Sequence, residues 1–142
     1  MNFNITFRSL DGRRLTAGKQ VNINNNSTIT AVSREGGKMN VSFVFSCNYE
    51  PNIGLVRIEG DLSVEDTPEN IEVALKEWDK SERTNLPKEL AEKIHNAILS
   101  NCLVEASILA RDLRLPAPIP MPQVTINKGQ DIATHADTSY IR

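Results

Sequence analysis

Aromatic residues, cysteine and histidine are scarce in this chain of 142 residues. Aromatics make up 5% of the sequence, and there are two cysteines and two histidines. A chain of this length buries roughly 68% of its unfolded surface, so we expect one domain whose mainly aliphatic core needs no disulfide or metal. The two cysteines, Cys47 and Cys102, lie far apart in the sequence and fit a reducing cytosolic compartment.

Neither sign of charge is in large excess. The 16 basic and 18 acidic residues give a formal net charge of −2, so the chain lacks the basic surface that nucleic acids and anionic membranes attract. No window of 18 apolar residues exists to span a bilayer. Residues 1–4 also lack the basic and apolar stretches of a signal peptide. We therefore expect a cytoplasmic protein that binds no nucleic acid and does not insert into membranes.

Alternating apolar and polar residues predict four strands within the first 65 residues. Turn signals such as Gly36-Gly37 separate them, and the short links favour an antiparallel meander with one apolar face. The residues predicted on that face are Phe3, Ile5 and Phe7, then Val21, Ile23, Ile29 and Ala31, then Met39, Val41, Phe43, Phe45, Cys47 and Tyr49, and last Val56, Ile58, Leu62 and Val64.

Two helices are predicted in the second half of the chain, where they cover the apolar face of the sheet. Thr67 is a suitable N-cap and Pro68 a suitable first residue for a short helix that ends near Ser81. Pro87 then opens a longer helix that runs to about Asp112. The predicted class is therefore α+β, with a four-stranded antiparallel sheet followed by a short and a long helix.

The long helix has more apolar residues than one buried face requires. On a helical wheel at about 100° per residue they form two stripes, whereas a surface helix of a monomer usually shows one. The second stripe must be covered by the short helix, by the Pro-rich segment or by a second subunit, and we favour a second subunit. The residues expected at that subunit contact are Leu99, Cys102, Leu103, Ala106 and Leu109. The other stripe consists of Leu90, Ile94, Ala97, Val104 and Ile108.

No catalytic or metal-binding motif is present. His95 and Cys102 are seven residues apart, which places their backbones about 10 Å apart along a helix, too far to share a metal without another element. The chain contains neither C-x-x-C nor H-E-x-x-H, and no nucleophile stands beside a base. We expect no enzyme activity, no catalytic residue, no metal and no cofactor.

Proline alternates with apolar residues after the long helix. Residues 115–124 contain four prolines and cannot form a central strand. Their apolar residues predict an extended strap across the domain or a partner. Residues 1–127 are therefore predicted to form the domain, and residues 128–142 to form a flexible tail.

The order of these elements resembles that of the SecB family of export chaperones and their SecB-like relatives. In that family a four-stranded antiparallel sheet is followed by a short helix, a long helix and an extended Pro-containing segment. The parallels here are the strands up to Val64, the Leu86-Pro87 opening of the long helix, and the run from Leu115-Pro116 to Val124. This resemblance spans about residues 3–127.

The resemblance implies a homo-oligomer, a dimer or tetramer, that holds unfolded polypeptides through apolar contacts and pairing at a strand edge. Phe43 and Phe45 fit core positions more simply, whereas Tyr49 and Trp78 are expected to be partly exposed. The alternative is an oligomeric scaffold, or a fixed subunit of a larger complex, without chaperone activity. The candidate client-binding residues are Phe43, Phe45, Tyr49, Ile58, Trp78 and Leu86.

Overall fold

A four-stranded antiparallel sheet is covered on one face by two helices in the computed structural model, which describes residues 1–18 and 20–119. This confirms the predicted α+β class and order of elements. Residues 128–142 and the part of the Pro-rich segment after Ile119 lie outside the described residues. The elements are β1 (Asn2–Arg14), β2 (Asn22–Glu35), β3 (Lys38–Glu50), β4 (Gly54–Glu65), α1 (Pro68–Lys80) and α2 (Lys88–Asp112).

The strand order is β1-β4-β3-β2, so the predicted meander is wrong for the first strand. β2, β3 and β4 do form a meander, but β1 pairs with β4. Residues 15–21 therefore carry the chain across three strand spacings, roughly 14 Å, which seven extended residues can span with about 23 Å of reach. Turn signals mark where strands end, but they do not determine which strands pair.

Two β-bulges change which side chains face the helices. The register of β1 shifts between Phe7 and Ser9, and that of β2 shifts between Ile29 and Ala31. A bulge adds one residue and reverses the alternation beyond it. Val32 is consequently half-buried and Ala31 exposed, so the prediction that Ala31 lies on the apolar face is wrong.

The core lies between the sheet and the helices, and the two central strands supply its largest share. The alternation predicted for β3 and β4 is confirmed, because every predicted inward residue of these strands is at most 1% exposed. The inward residues are Met39, Val41, Phe43, Phe45, Cys47, Tyr49, Val56, Ile58, Leu62 and Val64. The helices add Ile71, Ala74, Trp78, Ile94, Ile98, Cys102, Ala106 and Ala110.

The start of α1 is confirmed in detail. The Thr67 side chain accepts a hydrogen bond of 3.3 Å from the backbone N–H of Asn70, and Pro68 occupies the first turn. An N-cap oxygen satisfies a backbone donor that the helix leaves free. The cap therefore holds α1 in place immediately after β4, on the β2 side of the sheet.

The buried side of α2 winds around the helix. Its buried residues recur every fourth position from Ile94 to Ala110, and each step of four advances about 40° around a helix of 3.6 residues per turn. The contact line therefore turns by about 160° over this length, as expected for a long helix that follows a twisted sheet. The two stripes of the helical wheel are thus largely one surface, which packs on the protein's own sheet.

Candidate functional site

All six candidate client-binding residues lie in the core. None is more than 7% exposed, and the expected partial exposure of Tyr49 and Trp78 is wrong, since they are 1% and 4% exposed. The Tyr49 hydroxyl is satisfied inside the fold by the carbonyl oxygen of Pro116, at 2.7 Å. Trp78 is buried at the end of α1, where the chain folds back towards α2. These six side chains, Phe43, Phe45, Tyr49, Ile58, Trp78 and Leu86, are therefore not displayed on the surface of the protomer.

The residues expected at a subunit contact are divided between core and boundary. Cys102 and Ala106 are fully buried against the sheet because the contact line winds through them, so their expected place at a subunit contact is wrong. Leu99, Leu103 and Leu109 are half-buried beside that line. The apolar residues that α2 turns outward are instead Val104, 59% exposed, and Ile108.

One edge of the sheet is formed by β1, which pairs only with β4 in the described part of the chain. Residues 2–7, which we name the β1 edge segment, read Asn-Phe-Asn-Ile-Thr-Phe and contain no charge, proline or glycine. Charges, prolines and bulges are the devices by which proteins protect an edge against added strands. The first such device is the bulge beside Arg8, after the segment ends.

The bulge of β1 is fixed to the polar face of the sheet by an ion pair. Arg8 Nε lies 2.9 Å from Asp61 Oδ2, and Ser42 and Asn40 donate hydrogen bonds to the same carboxylate at 2.7 and 3.3 Å. Partial burial alone would raise the pKa of Asp61, but these hydrogen bonds and the Arg8 charge outweigh it and lower the pKa. The β1 edge segment therefore ends at an anchored bulge.

The opposite edge, β2, is held by contacts with the second half of the chain. The Asn25 amide donates a hydrogen bond of 3.0 Å to the carbonyl oxygen of Pro118. Ser27 Oγ lies 2.8 Å from His95 Nδ1 of α2. These contacts tie the helix side of β2 to α2 and to the segment that follows α2.

The pair of Ser27 and His95 was missed by the sequence analysis, since no local pattern links residues 68 positions apart. A serine beside an imidazole is the first element of acyl-transfer chemistry, but that chemistry also needs a group orienting the imidazole and donors for an oxyanion. Within the described hydrogen bonds, His95 has Ser27 as its sole side-chain partner. The arrangement therefore ties β2 to α2.

Both cysteines are free and buried. Burial raises the pKa of Cys47, although a hydrogen bond with Tyr49 partly opposes the shift. Burial, together with the Glu105 charge, raises the pKa of Cys102 to about 12. A thiolate is the reactive form of cysteine, so neither thiol is poised as a nucleophile near neutral pH.

Over residues 1–18 and 20–119, no group of three or more His, Cys, Asp or Glu side chains is arranged to hold a metal ion. Among the helices of this part of the chain, none is long and apolar enough to cross a membrane. The candidate surfaces are thus the β1 edge segment and the outward side of α2.

A short segment after α2 crosses the end of the sheet and bends at Pro118 and Ile119. We name residues 115–119 the strap. Leu115 is buried over Gly54 at the start of β4, and Pro118 is buried near β2. The predicted strap therefore lies across the protein's own domain over these five residues.

Comparisons with known proteins identify no relative. No family model, no curated protein and no solved structure matches this chain.

Proposed function

We propose that this protein binds extended segments of unfolded polypeptides, as a SecB-like holdase, and that the β1 edge segment receives them. The observation that carries the proposal is an edge without charge, proline or glycine over residues 2–7. A client strand would pair its backbone with this edge. Because backbone groups are common to all polypeptides, binding would depend little on the client's sequence.

Apolar side chains beside the edge would add affinity. Phe3, Ile5 and Phe7 are half-buried on the helix side of the sheet, and Leu10 is exposed beyond the bulge. Alternate side chains of an added strand point to the same side of the sheet. Every second client residue would therefore meet this apolar row, which favours the apolar segments that unfolded proteins expose.

The layout of the fold also supports this proposal. A four-stranded antiparallel sheet is followed by a short helix, a long helix and a Pro-containing segment, in the order that the SecB resemblance implies. A cytoplasmic homo-oligomer, a dimer or tetramer without catalytic residues or cofactor, belongs to the same proposal.

Light scattering with a permanently unfolded protein tests this function. The wild-type chain is expected to form a complex of higher mass with it. Replacing Asn4 and Thr6, which are exposed on the polar side of the edge, with lysine should weaken capture by at least about tenfold, since lysines on an edge strand discourage pairing.

The matched control places the same charges on the opposite edge. Asn24 and Asn26 are exposed residues of β2, and their replacement with lysine should leave capture unchanged. Failure of the wild-type protein to capture the unfolded chain would overturn the holdase proposal. Equal loss of capture in both double variants would show that β1 is not the specific site.

The second candidate function is an oligomeric scaffold, and the outward side of α2 favours it. Four exposed residues lie along one line of the helix, namely Asn96, Ser100, Val104 and Ile108. In an antiparallel pair of helices related by a two-fold axis, Val104 would lie opposite Ser100 of the other copy. Ile108 would lie opposite Asn96, so the larger apolar residues of each copy would meet the polar residues of the other.

The charged residues at the two ends of this line fit the same antiparallel alignment of the two helices. When Val104 lies opposite Ser100, Glu92 would lie near Arg111 of the second copy, and Lys93 would lie near its Asp112. Each of these two charge pairs is offset by one residue from that alignment. Between Lys93 and Arg111 the helix has a single acidic residue and no lysine or arginine. Charged ends around an uncharged centre are typical of a protein interface.

Sedimentation equilibrium, which measures the solution mass, tests whether the outward side of α2 forms the subunit contact. A matched substitution elsewhere tests whether any exposed apolar residue would have the same effect. Val104→Asp is expected to lower the solution mass to that of a monomer. Val73→Asp is the matched control, since Val73 of α1 is 60% exposed, and it should keep the wild-type mass. An oligomer that depends on Val104 but does not capture unfolded protein would favour the scaffold over the holdase.

A further inference from the structure

The strap is held in place by its carbonyl oxygens. Tyr49 of β3 donates its hydroxyl proton to the Pro116 carbonyl oxygen at 2.7 Å. Asn25 of β2 donates from its side-chain amide to the Pro118 carbonyl oxygen at 3.0 Å. Both donors belong to side chains of the sheet, and the acceptors are alternate carbonyls of the strap. This pattern turns two carbonyls of the strap towards the sheet, although the backbone bends at Pro118 and Ile119.

Proline suits these positions for a physical reason. Proline has no N–H to donate, and its ring fixes φ near the value of an extended polyproline helix. Tyr49 and Asn25 donate hydrogen bonds and need only a carbonyl oxygen as acceptor, so neither contact is lost when proline occupies position 116 or 118. Recognition of proline-rich segments by an aromatic side chain and polar donors is an established physical mode.

An apolar position precedes the first of these carbonyls. The Leu115 side chain is buried over Gly54, and a Cβ added to Gly54 would lie 2.9 Å from Leu115 Cδ1. Glycine at this position therefore makes room for an apolar side chain of the strap. Beside it lies a cavity of about 560 Å³, lined in part by Val21, Ile53 and Pro116.

We propose that this end of the sheet is a second binding site, for an extended proline-rich segment with an apolar residue before its first proline. The strap occupies the site in cis and competes with such a segment from another polypeptide. The site lies near Gly54 at the start of β4, whereas the β1 edge segment pairs with the end of that strand. It therefore goes beyond the proposed holdase function and does not depend on it.

Releasing the strap tests the proposal. Leu115→Asp in the full chain places a charge at a buried position and should dissociate the strap while leaving Tyr49, Asn25 and Gly54 unchanged. The probe is a fluorescein-labelled peptide that copies residues 115–122, followed by fluorescence anisotropy. A tethered competitor acts at an effective concentration in the millimolar range, so we expect the variant to bind the peptide at least about tenfold more tightly than the wild-type protein.

Two further variants make the result specific. Ile119→Asp changes an exposed residue of the same strap, 38% exposed, and should leave peptide binding at the wild-type level. Adding Asn25→Ala to Leu115→Asp removes one donor and should weaken binding by roughly two- to tenfold. A scrambled peptide of the same composition should bind less well to every variant.

Defined outcomes overturn the proposal. The proposal is wrong if the wild-type protein and Leu115→Asp bind the peptide equally well. It is also wrong if adding Asn25→Ala does not change the peptide affinity of Leu115→Asp. Should Leu115→Asp fail to give a cooperative thermal transition by circular dichroism, Leu115→Ala replaces it with the same expected direction. Adding Asn4→Lys and Thr6→Lys to Leu115→Asp should leave peptide binding at the level of Leu115→Asp, which separates failure here from failure of the holdase proposal.

Discussion

Ser27 and His95 join the edge strand β2 to the long helix α2 through one hydrogen bond. The hydroxyl oxygen of Ser27 lies 2.8 Å from Nδ1 of His95, and both side chains are half-buried. The contact closes the boundary between the helix layer and the β2 side of the sheet. It therefore joins an edge strand to a helix across 68 positions of the sequence.

Loss of this hydrogen bond should destabilise the fold modestly. Ser27→Ala is expected to lower the free energy of unfolding by about 1 kcal/mol, measured by urea denaturation. Thr28→Ala, at the exposed neighbouring residue, is the control and should change it by less than about 0.5 kcal/mol. The same pair also allows a test for catalysis: a fluorophosphonate probe should not label Ser27, and specific labelling would contradict the structural role.

Gly60 is predicted to be intolerant of any side chain. A Cβ at this position would collide with the backbone oxygen of Thr6 and lie 2.8 Å from Cζ of the buried Phe43. Gly60→Ala should therefore cost at least about 2 kcal/mol of stability. Gly37→Ala is the control, because a Cβ there meets nothing within 4 Å. Similar urea midpoints for the two variants would contradict this close packing.

Arg114 offers a stabilising substitution. It ends α2 with a φ of 58°, and the next residue, Leu115, donates its N–H to the Ala110 carbonyl oxygen at 2.8 Å, the pattern of a Schellman cap. Side chains disfavour this left-handed conformation by roughly 1–2 kcal/mol relative to glycine. Arg114→Gly should thus raise the free energy of unfolding by about 1 kcal/mol. Arg111→Gly, inside the helix, should lower it by a similar amount, and a loss of stability in both would contradict the prediction.

The buried thiol of Cys102 should make stability depend on alkaline pH. Burial and the Glu105 charge raise its pKa from 9.0 to about 12. Between these values the unfolded chain releases the proton while the folded chain retains it, so the stabilisation is complete below pH 9 and is lost as the pH rises towards 12. Urea denaturation at pH 8 and pH 10.5 should show a larger loss for the wild-type protein than for Cys102→Ala. Parallel losses in the two proteins would contradict the assignment.

The sequence was most informative where a structural preference is local. The alternation from Met39 to Tyr49 identified β3 and its inward side chains, because successive residues of any strand point to opposite faces. Thr67 and Pro68 located the start of α1 for the same kind of reason, since a cap acts within one turn. The Gly36-Gly37 turn between β2 and β3 was likewise evident from residue type.

The candidate site was predicted less well, because exposure depends on contacts between distant elements. Phe43 and Tyr49 were candidates for client contact, yet both are buried in the core. The β1 edge segment was recognised as a strand but not as an edge. Its position follows from pairing with β4 rather than with β2, which no short-range signal specifies.

The sequence by itself thus determined the number, order and type of the elements and the inward residues of the central strands. Those properties follow from periodicity and capping within a few residues. Only the tertiary structure decided the strand order, the bulge beside Arg8, the winding contact line from Ile94 to Ala110 and the meeting of Ser27 with His95. Each of these depends on how twisted layers pack against one another, and residues far apart in the chain decide that packing together.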